Sequence, residues 1–356
     1  MKFQTHPSWF QILRSLRADP HSKNQFAWNL ANYQAHLISR STLSFGLLSR
    51  WFQKTYKQNP TWYFPEYICN TPIAKLQSQG DEIIFYPLHE DLTPDLSSLN
   101  PKKKGFFVQV QYFGIEKDLT KTAEFCQKND LHLVEDAAHL LRKTKEPVAD
   151  FILFSPYKTL GLPTGAVLLG QKRHGSLFPF FKTSQASLKT DALWTAKRLI
   201  EDLTPTRVLN FQKKQKMPSD PYVLSEESVP GDEEALTPLS AQLLSVSKNY
   251  IESEAKARKQ NAQKWAKELH QRTLLSPAWD LQNVDAPYLF PVKFKSKEEA
   301  RSYFKDWNQK RWLLLTWPDL PKEVMGSTEY PMANRLKETV LFLPTHSSLS
   351  DSSFQL

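Results

Sequence analysis

The sequence predicts an α/β fold built on a mainly parallel sheet, and three observations point to it. Short apolar strands alternate with helical stretches through the first half of the chain, the order that arises when crossover helices join parallel strands. Successive strands end in residues able to carry chemistry, Asp136 after one and Ser155 with Lys158 after the next. At 356 residues and 40% hydrophobic content, the chain is long and apolar enough to bury a large core.

Taken in order, residues 1–35 read as an N-terminal arm. The segment Thr42 to Tyr56 follows the cluster Ser39, Arg40, Ser41 and carries Leu43, Leu47, Leu48, Trp51 and Phe52 at helical spacing, so a helix N-terminus is expected near Ser41. Trp62 to Phe64 and Ile83 to Tyr86 read as strands around a helix from Thr71 to Gln79 that stops at Gly80. The unit repeats as a strand over Gly105 to Gln111, a helix over Leu119 to Asn129 and a strand over Leu131 to Val134, with more strands at Phe151 to Phe154 and Ala166 to Leu169.

Order weakens from Leu177 to Asp232, where Pro205, Pro218, Pro221 and Pro230 suggest a loop-rich connector. Beyond it a long helix is expected from about Pro238 to His270, and then a smaller α/β region. That region has strands near Tyr288 to Phe294, Trp312 to Leu315 and Val340 to Leu343, and a helix from Lys297 to Lys310. The expected division is therefore an arm (1–35), a large domain (36–235) and a small C-terminal domain (236–356).

Composition removes several function classes. Only 10 glycines occur against 24 prolines, and neither a Gly-x-Gly-x-x-Gly run nor a Walker-type loop is present. Cys69 and Cys126 are too few for a disulfide framework and wrongly spaced for zinc, so a reducing cytoplasm is the expected compartment. No run approaches the roughly 18 apolar residues that span a bilayer, and Met1 to Asp19 has no signal-peptide core. The net charge of +9 favours anionic ligands, but the basic residues are scattered and form no nucleic-acid module.

The densest chemistry lies between Leu131 and Gly170, as L-H-L-V-E-D-A-A-H, then F-I-L-F-S-P-Y-K, then T-L-G-L-P-T-G-A. Ligands of open α/β sheets bind outside the carboxyl ends of the strands, which would bring Asp136, Ser155 and Lys158 to one crevice. Pyridoxal phosphate (PLP) chemistry needs these types. A lysine forms the Schiff base, best when burial or nearby positive charge lowers its pKa, and an aspartate keeps the pyridine nitrogen protonated. Lys158 and Asp136 suit these roles. Taken alone, Asp136 would also serve as a helix N-cap and Lys158 as a solvated surface lysine.

These motifs resemble the DegT/StrS family of PLP-dependent sugar aminotransferases. V-Q-V-Q-Y-F-G (Val108 to Gly114), P-E-Y-I-C (Pro65 to Cys69), R-K-Q-N (Arg258 to Asn261), W-P-D-L-P (Trp317 to Pro321) and L-P-T-H (Leu343 to His346) extend the likeness over residues 36 to 346. The resemblance implies a fold-type-I enzyme with a mainly parallel seven-stranded sheet, a smaller C-terminal α/β domain, a homodimer, and PLP as cofactor. It implies Lys158 as Schiff-base lysine, Asp136 as partner of the pyridine nitrogen, and His139, one helical turn further on, as neighbour of the ring or its O3′. Ser155, Ser41 and Thr42 would hold the phosphate at a helix N-terminus, and Tyr67 or Cys69 would lie against the ring. The implied reaction moves an amino group from an amino acid, glutamate foremost, to a keto-sugar carried on a nucleotide, for cell-envelope polysaccharide or glycolipid synthesis.

Three departures stand against it: Ser39 where the family has Gly, Gly165 with Ala166 in place of a Gly pair, and a short stretch after His346 where a closing helix is expected. Two rival readings stay open, the second of them favoured by the altered phosphate segment and the short C-terminus. One is a PLP enzyme of another reaction type, such as a dehydratase, and the other is a non-catalytic relative that binds a ligand or partner.

Overall fold

The computed structural model describes residues 7, 9–15, 17, 26–177, 179, 188–203, 220–222, 235–272, 275–309 and 314–354. A short helix α1 (Trp9–Ser15) precedes the first strand. Seven strands then make the larger sheet: β1 (Tyr33–Ile38), β2 (Thr61–Pro65), β3 (Glu82–Tyr86), β4 (Gly105–Val110), β5 (Leu131–Ala137), β6 (Phe151–Phe154) and β7 (Ala166–Gln171). Their spatial order is β1-β7-β6-β5-β4-β2-β3. Strands β2 to β6 are mutually parallel, and β7 runs antiparallel to both β6 and β1. The expected seven-stranded, mainly parallel α/β sheet is what the chain forms.

Connecting helices follow from the pattern. Helix α2 (Ser41–Tyr56) buries Leu43, Leu47, Leu48, Trp51 and Phe52 on one face and stops where Lys57 turns left-handed at φ 56°. Helices α3 (Asn70–Gln77) and α4 (Thr120–Lys128) complete the crossovers. Inside, aromatic rings carry much of the packing: Trp62 stacks on Phe106 with centroids 4.2 Å apart, and Tyr86 on Phe107 at 4.7 Å. Burying each such side chain contributes about 1.5–3 kcal/mol. Gly105 opens β4 because a Cβ there would fall 1.8 Å from the Thr61 carbonyl oxygen of β2.

The C-terminal third holds α7 (Pro238–Ser245), α8 (Lys248–Arg272) and a three-stranded antiparallel sheet of β8 (Ser276–Pro277), β9 (Leu289–Lys293) and β10 (Val340–Pro344) in the order β10-β9-β8. Helices α9 (Lys297–Gln309) and α10 (Pro331–Thr339) pack on it. Trp265, Phe290, Val292, Phe304, Trp307, Leu341 and Leu343 share a second core there.

Several expectations change. Strand β1 was not legible, and it crosses the 35/36 division drawn from the sequence; Gln34 and Leu37 are exposed while His36 is buried. The single long helix is two, broken at Val246 and Ser247, where the Ser247 hydroxyl accepts the Ala27 N–H at 3.3 Å. Helix α6 (Leu188–Leu203) occupies part of the stretch read as a connector, whereas Pro205, Pro218 and Pro230 lie outside the described residues. Of the strand expected near Trp312 to Leu315, residues 312 and 313 lie outside the described residues and Leu315 makes one bridge to Phe342. No helix follows Asp136: the chain turns at Ala138 and His139, so neither the helix N-cap reading nor the helical spacing of His139 holds.

Candidate active site

Parallel pairing sets Asp136 opposite Leu153 and Ala137 opposite Phe154, so β5 and β6 end side by side. Asp136 is the penultimate residue of β5. Its Oδ1 accepts the Ala138 N–H at 3.0 Å, and its carbonyl accepts the Gln111 N–H at 2.9 Å. After β6, Ser155 starts a single helical turn, α5 (Pro156–Thr159), in which the Lys158 and Thr159 N–H groups reach the Ser155 carbonyl at 2.9 and 3.3 Å. Pro156 fits because the first helical position needs no N–H. Gly165 closes the following turn at φ 139°, where a side chain would be strained, and donates to the Ser39 carbonyl at 2.7 Å. The turn after the lysine is thereby tied to the segment before α2.

Lys158 and Asp136 feel each other's charge. Burial pushes the Asp136 carboxyl above the usual range, while the Lys158 ammonium and the Ala138 N–H pull it back. For Lys158, burial acts downward, but Tyr157, Cys69, Tyr288 and Asp136 outweigh it and hold the amine above its ordinary value. The lowered lysine pKa expected from the sequence is therefore not found. Burial first, and the Lys158 charge second, push His139 well below its normal value, so the imidazole is neutral. Its Nδ1 faces the Phe113 N–H at 3.4 Å, a long contact that favours the tautomer with its proton on Nε2.

His139 is held by rings from distant parts of the chain. Tyr288 stacks on it at 4.5 Å and 14°, and Trp317 meets it edge-on at 5.8 Å. The left-handed Phe113 (φ 56°) and Gly114 (φ 89°) bend the chain so that the Phe113 carbonyl accepts the Tyr288 N–H at 2.8 Å. Arg258 binds the carbonyls of Tyr288 (3.0 Å) and Thr159 (2.9 Å) while pairing with Glu254 at 2.8 Å. Asn261 donates to the carbonyls of Thr345 and His346, each at 3.0 Å. Sequence reasoning noted R-K-Q-N, W-P-D-L-P and L-P-T-H without assigning them roles, and it gave Tyr288 and Phe113 no part in the site. No local pattern marks a residue that acts by stacking across 150 positions.

The remaining predicted residues divide. Ser155 Oγ donates to Ser41 Oγ at 3.2 Å, both buried, at the first turn of α2, whose N-cap Arg40 makes no side-chain capping bond. Ser41 is therefore not simply capping its helix. Thr42 follows, partly exposed. Cys69 is partly exposed and close enough to Lys158 to raise its pKa. Tyr67, by contrast, is fully buried and stacked on Trp317 at 4.4 Å. The Tyr67 phenol and the Thr159 hydroxyl are both buried with no hydrogen-bond partner among the described residues.

Known structures share this architecture. The Helicobacter pylori aminotransferase PseC, involved in the biosynthesis of pseudoaminic acid, superposes with a TM-score of 0.68 at 12% identity, covering 97% of this chain and 92% of that one. The fold is that of these aminotransferases. The Streptoalloteichus hindustanus aminotransferase TlmJ matches with a TM-score of 0.69 at 16% identity over 100% of this chain and 96% of that one. A DegT DnrJ EryC1 StrS aminotransferase from Brucella abortus matches at 0.58 and 14% over 90% and 83%. No protein-family model and no curated protein matches the sequence. Within this aminotransferase fold, Asp136, His139 and Lys158 stand at the strand ends where open α/β sheets bind ligands.

Proposed function

We propose that the chain is a PLP-dependent aminotransferase that moves an amino group from an amino acid, glutamate foremost, to a keto-sugar carried on a nucleotide, in the synthesis of cell-envelope polysaccharide or glycolipid. One observation carries this reading: the partly buried Lys158 amine and the buried Asp136 carboxylate, brought together by adjacent strand ends, lie close enough to influence each other's ionisation beside a neutral imidazole. The donor set fits the cofactor. Lys158 offers the amine, Asp136 a carboxylate for the pyridine nitrogen, and His139 an Nε2–H for O3′, while Ser155 and Ser41 present paired hydroxyls at a helix N-terminus suited to a dianion. The partnerless hydroxyl of Thr159, next to Lys158, leaves polar capacity at the same place.

When bound, PLP supplies an aldehyde for amines and a ring that accepts electrons. The protein's part is positional. Asp136 holds a proton at the ring nitrogen, and Lys158 Nζ, once neutral, takes and returns the proton that moves during transfer. Tyr288, Trp317 and Phe113 keep water from His139 and fix its plane. The family resemblance leads us to infer a homodimer in the cytoplasm as the working form. No helix among the described residues is long and apolar enough to cross a membrane.

The test is spectroscopic. Purified protein given PLP should gain a violet absorbance that borohydride abolishes while fixing the cofactor onto the peptide holding Lys158, and glutamate should convert the unreduced cofactor to pyridoxamine phosphate. A protein that never gains a reducible chromophore is no PLP enzyme, and one that gains it without forming pyridoxamine phosphate catalyses another reaction.

A further inference from the structure

At the opposite ends of the same strands lies a second cluster. His132 is the second residue of β5, Asp150 immediately precedes β6, and His174 follows β7. One donor atom from each lies within 4.8 Å of the other two. We propose that His132, Asp150 and His174 bind a divalent transition-metal ion of the zinc class, at a site separate from Lys158.

The donor types are right: two imidazoles and a carboxylate are a common set for zinc-class ions. Tetrahedral bonds of about 2.0–2.1 Å place donors roughly 3.4 Å apart, so closure asks for a side-chain rotation and no backbone rearrangement. The groups are already oriented. Asp150 Oδ2 accepts the Leu133 N–H at 2.9 Å, which leaves Oδ1 to His174 Nε2 at 2.7 Å. The Tyr56 hydroxyl lies 2.9 Å from His132 Nε2, the kind of outer contact that fixes a ligating imidazole. Trp51 packs edge-on against both imidazoles at 5.1 and 5.6 Å, and His174 stacks on Phe151 at 5.1 Å.

One cation already competes. Arg173 Nη2 pairs with Asp150 Oδ1 at 2.5 Å and its Nε lies 3.3 Å from His174 Nε2, yet its side chain is 64% exposed and free to swing outward. That competition supplies a discriminating test. Full-length protein stripped with chelator is titrated with zinc chloride by calorimetry, alongside His174→Ala and Arg173→Ala. One equivalent is expected, weakened at least tenfold in His174→Ala and tightened several-fold in Arg173→Ala, whose exposed position leaves folding intact. Cobalt in place of zinc should give visible bands without thiolate charge transfer, which excludes Cys69. Zinc affinity unchanged in His174→Ala, or unimproved in Arg173→Ala, overturns the proposal. Because no PLP is needed, its failure is separable from failure of the aminotransferase reading.

Discussion

Arg258, on the helix of the C-terminal third, donates through Nη2 to the carbonyl of Thr159, the residue beside Lys158, at 2.9 Å. The guanidinium also holds the Tyr288 carbonyl and pairs with Glu254, so one buried cation fixes the lysine turn and the ring behind His139 together. Only a planar fork reaches acceptors in these divergent directions.

Replacing Arg258 with alanine leaves the buried Glu254 carboxylate and two carbonyls without that partner. The expected loss is about 3–5 kcal/mol, measured by urea unfolding. Arg258→Lys should recover only a minor part of it.

Asp136→Asn should keep cofactor uptake at Lys158 but lower glutamate turnover on the order of 10²-fold or more, because an amide cannot hold the ring nitrogen protonated. Single-turnover absorbance reads both quantities. Equal loss of uptake and turnover would contradict this division of roles.

Ser155→Ala and Ser41→Ala should each weaken PLP binding roughly tenfold, the value of a hydrogen bond to a charged group. The hydroxyls touch each other at 3.2 Å, so the double variant should fall short of the product of the singles. Equilibrium titration of the violet band measures this.

Gly114→Ala places a Cβ 2.5 Å from the Ala286 carbonyl oxygen at a residue with φ 89°. A stability loss of about 2 kcal/mol or more is expected, together with altered near-ultraviolet circular dichroism from the Phe113 and Tyr288 rings. Thermal unfolding checks the first.

Burial pushes the His36 imidazole from 6.5 down to about 4. Between those values the unfolded chain binds a proton that the folded chain does not, so stability is full above pH 6.5 and falls as pH drops through the window, by up to about 3 kcal/mol. His36→Gln should make that part of a stability-versus-pH curve shallower, His139 and His132, also lowered by burial, accounting for the slope that remains.

Most of the large sheet was legible because β2 to β6 are apolar runs bounded by turn residues, and Asp136, Ser155 and Lys158 sit close together along the chain. β1 was not, since Y-Q-A-H-L-I buries the polar His36 and exposes the apolar Ala35 and Leu37, and it gains its place only by pairing with β7, about 130 residues later. The break between α7 and α8 depends on Ser247 meeting Ala27, a contact no helical periodicity encodes. Likewise, Tyr288 and Trp317 enter the site by stacking, which leaves no mark on their own neighbours in sequence. The lysine's raised pKa escaped prediction because it is a sum over four residues from separate segments.

The chemistry-bearing side chains come from the first 160 residues, whereas the aromatic wall against His139 is lent largely by residues 288 and 317, across the Phe113–Tyr288 backbone bond. Chimeras that graft the final third of a relative onto this chain would therefore exchange the contour seen by an incoming acceptor while leaving the proton-handling groups alone. Such hybrids must preserve the Gly114 bend and the Arg258 fork at the seam.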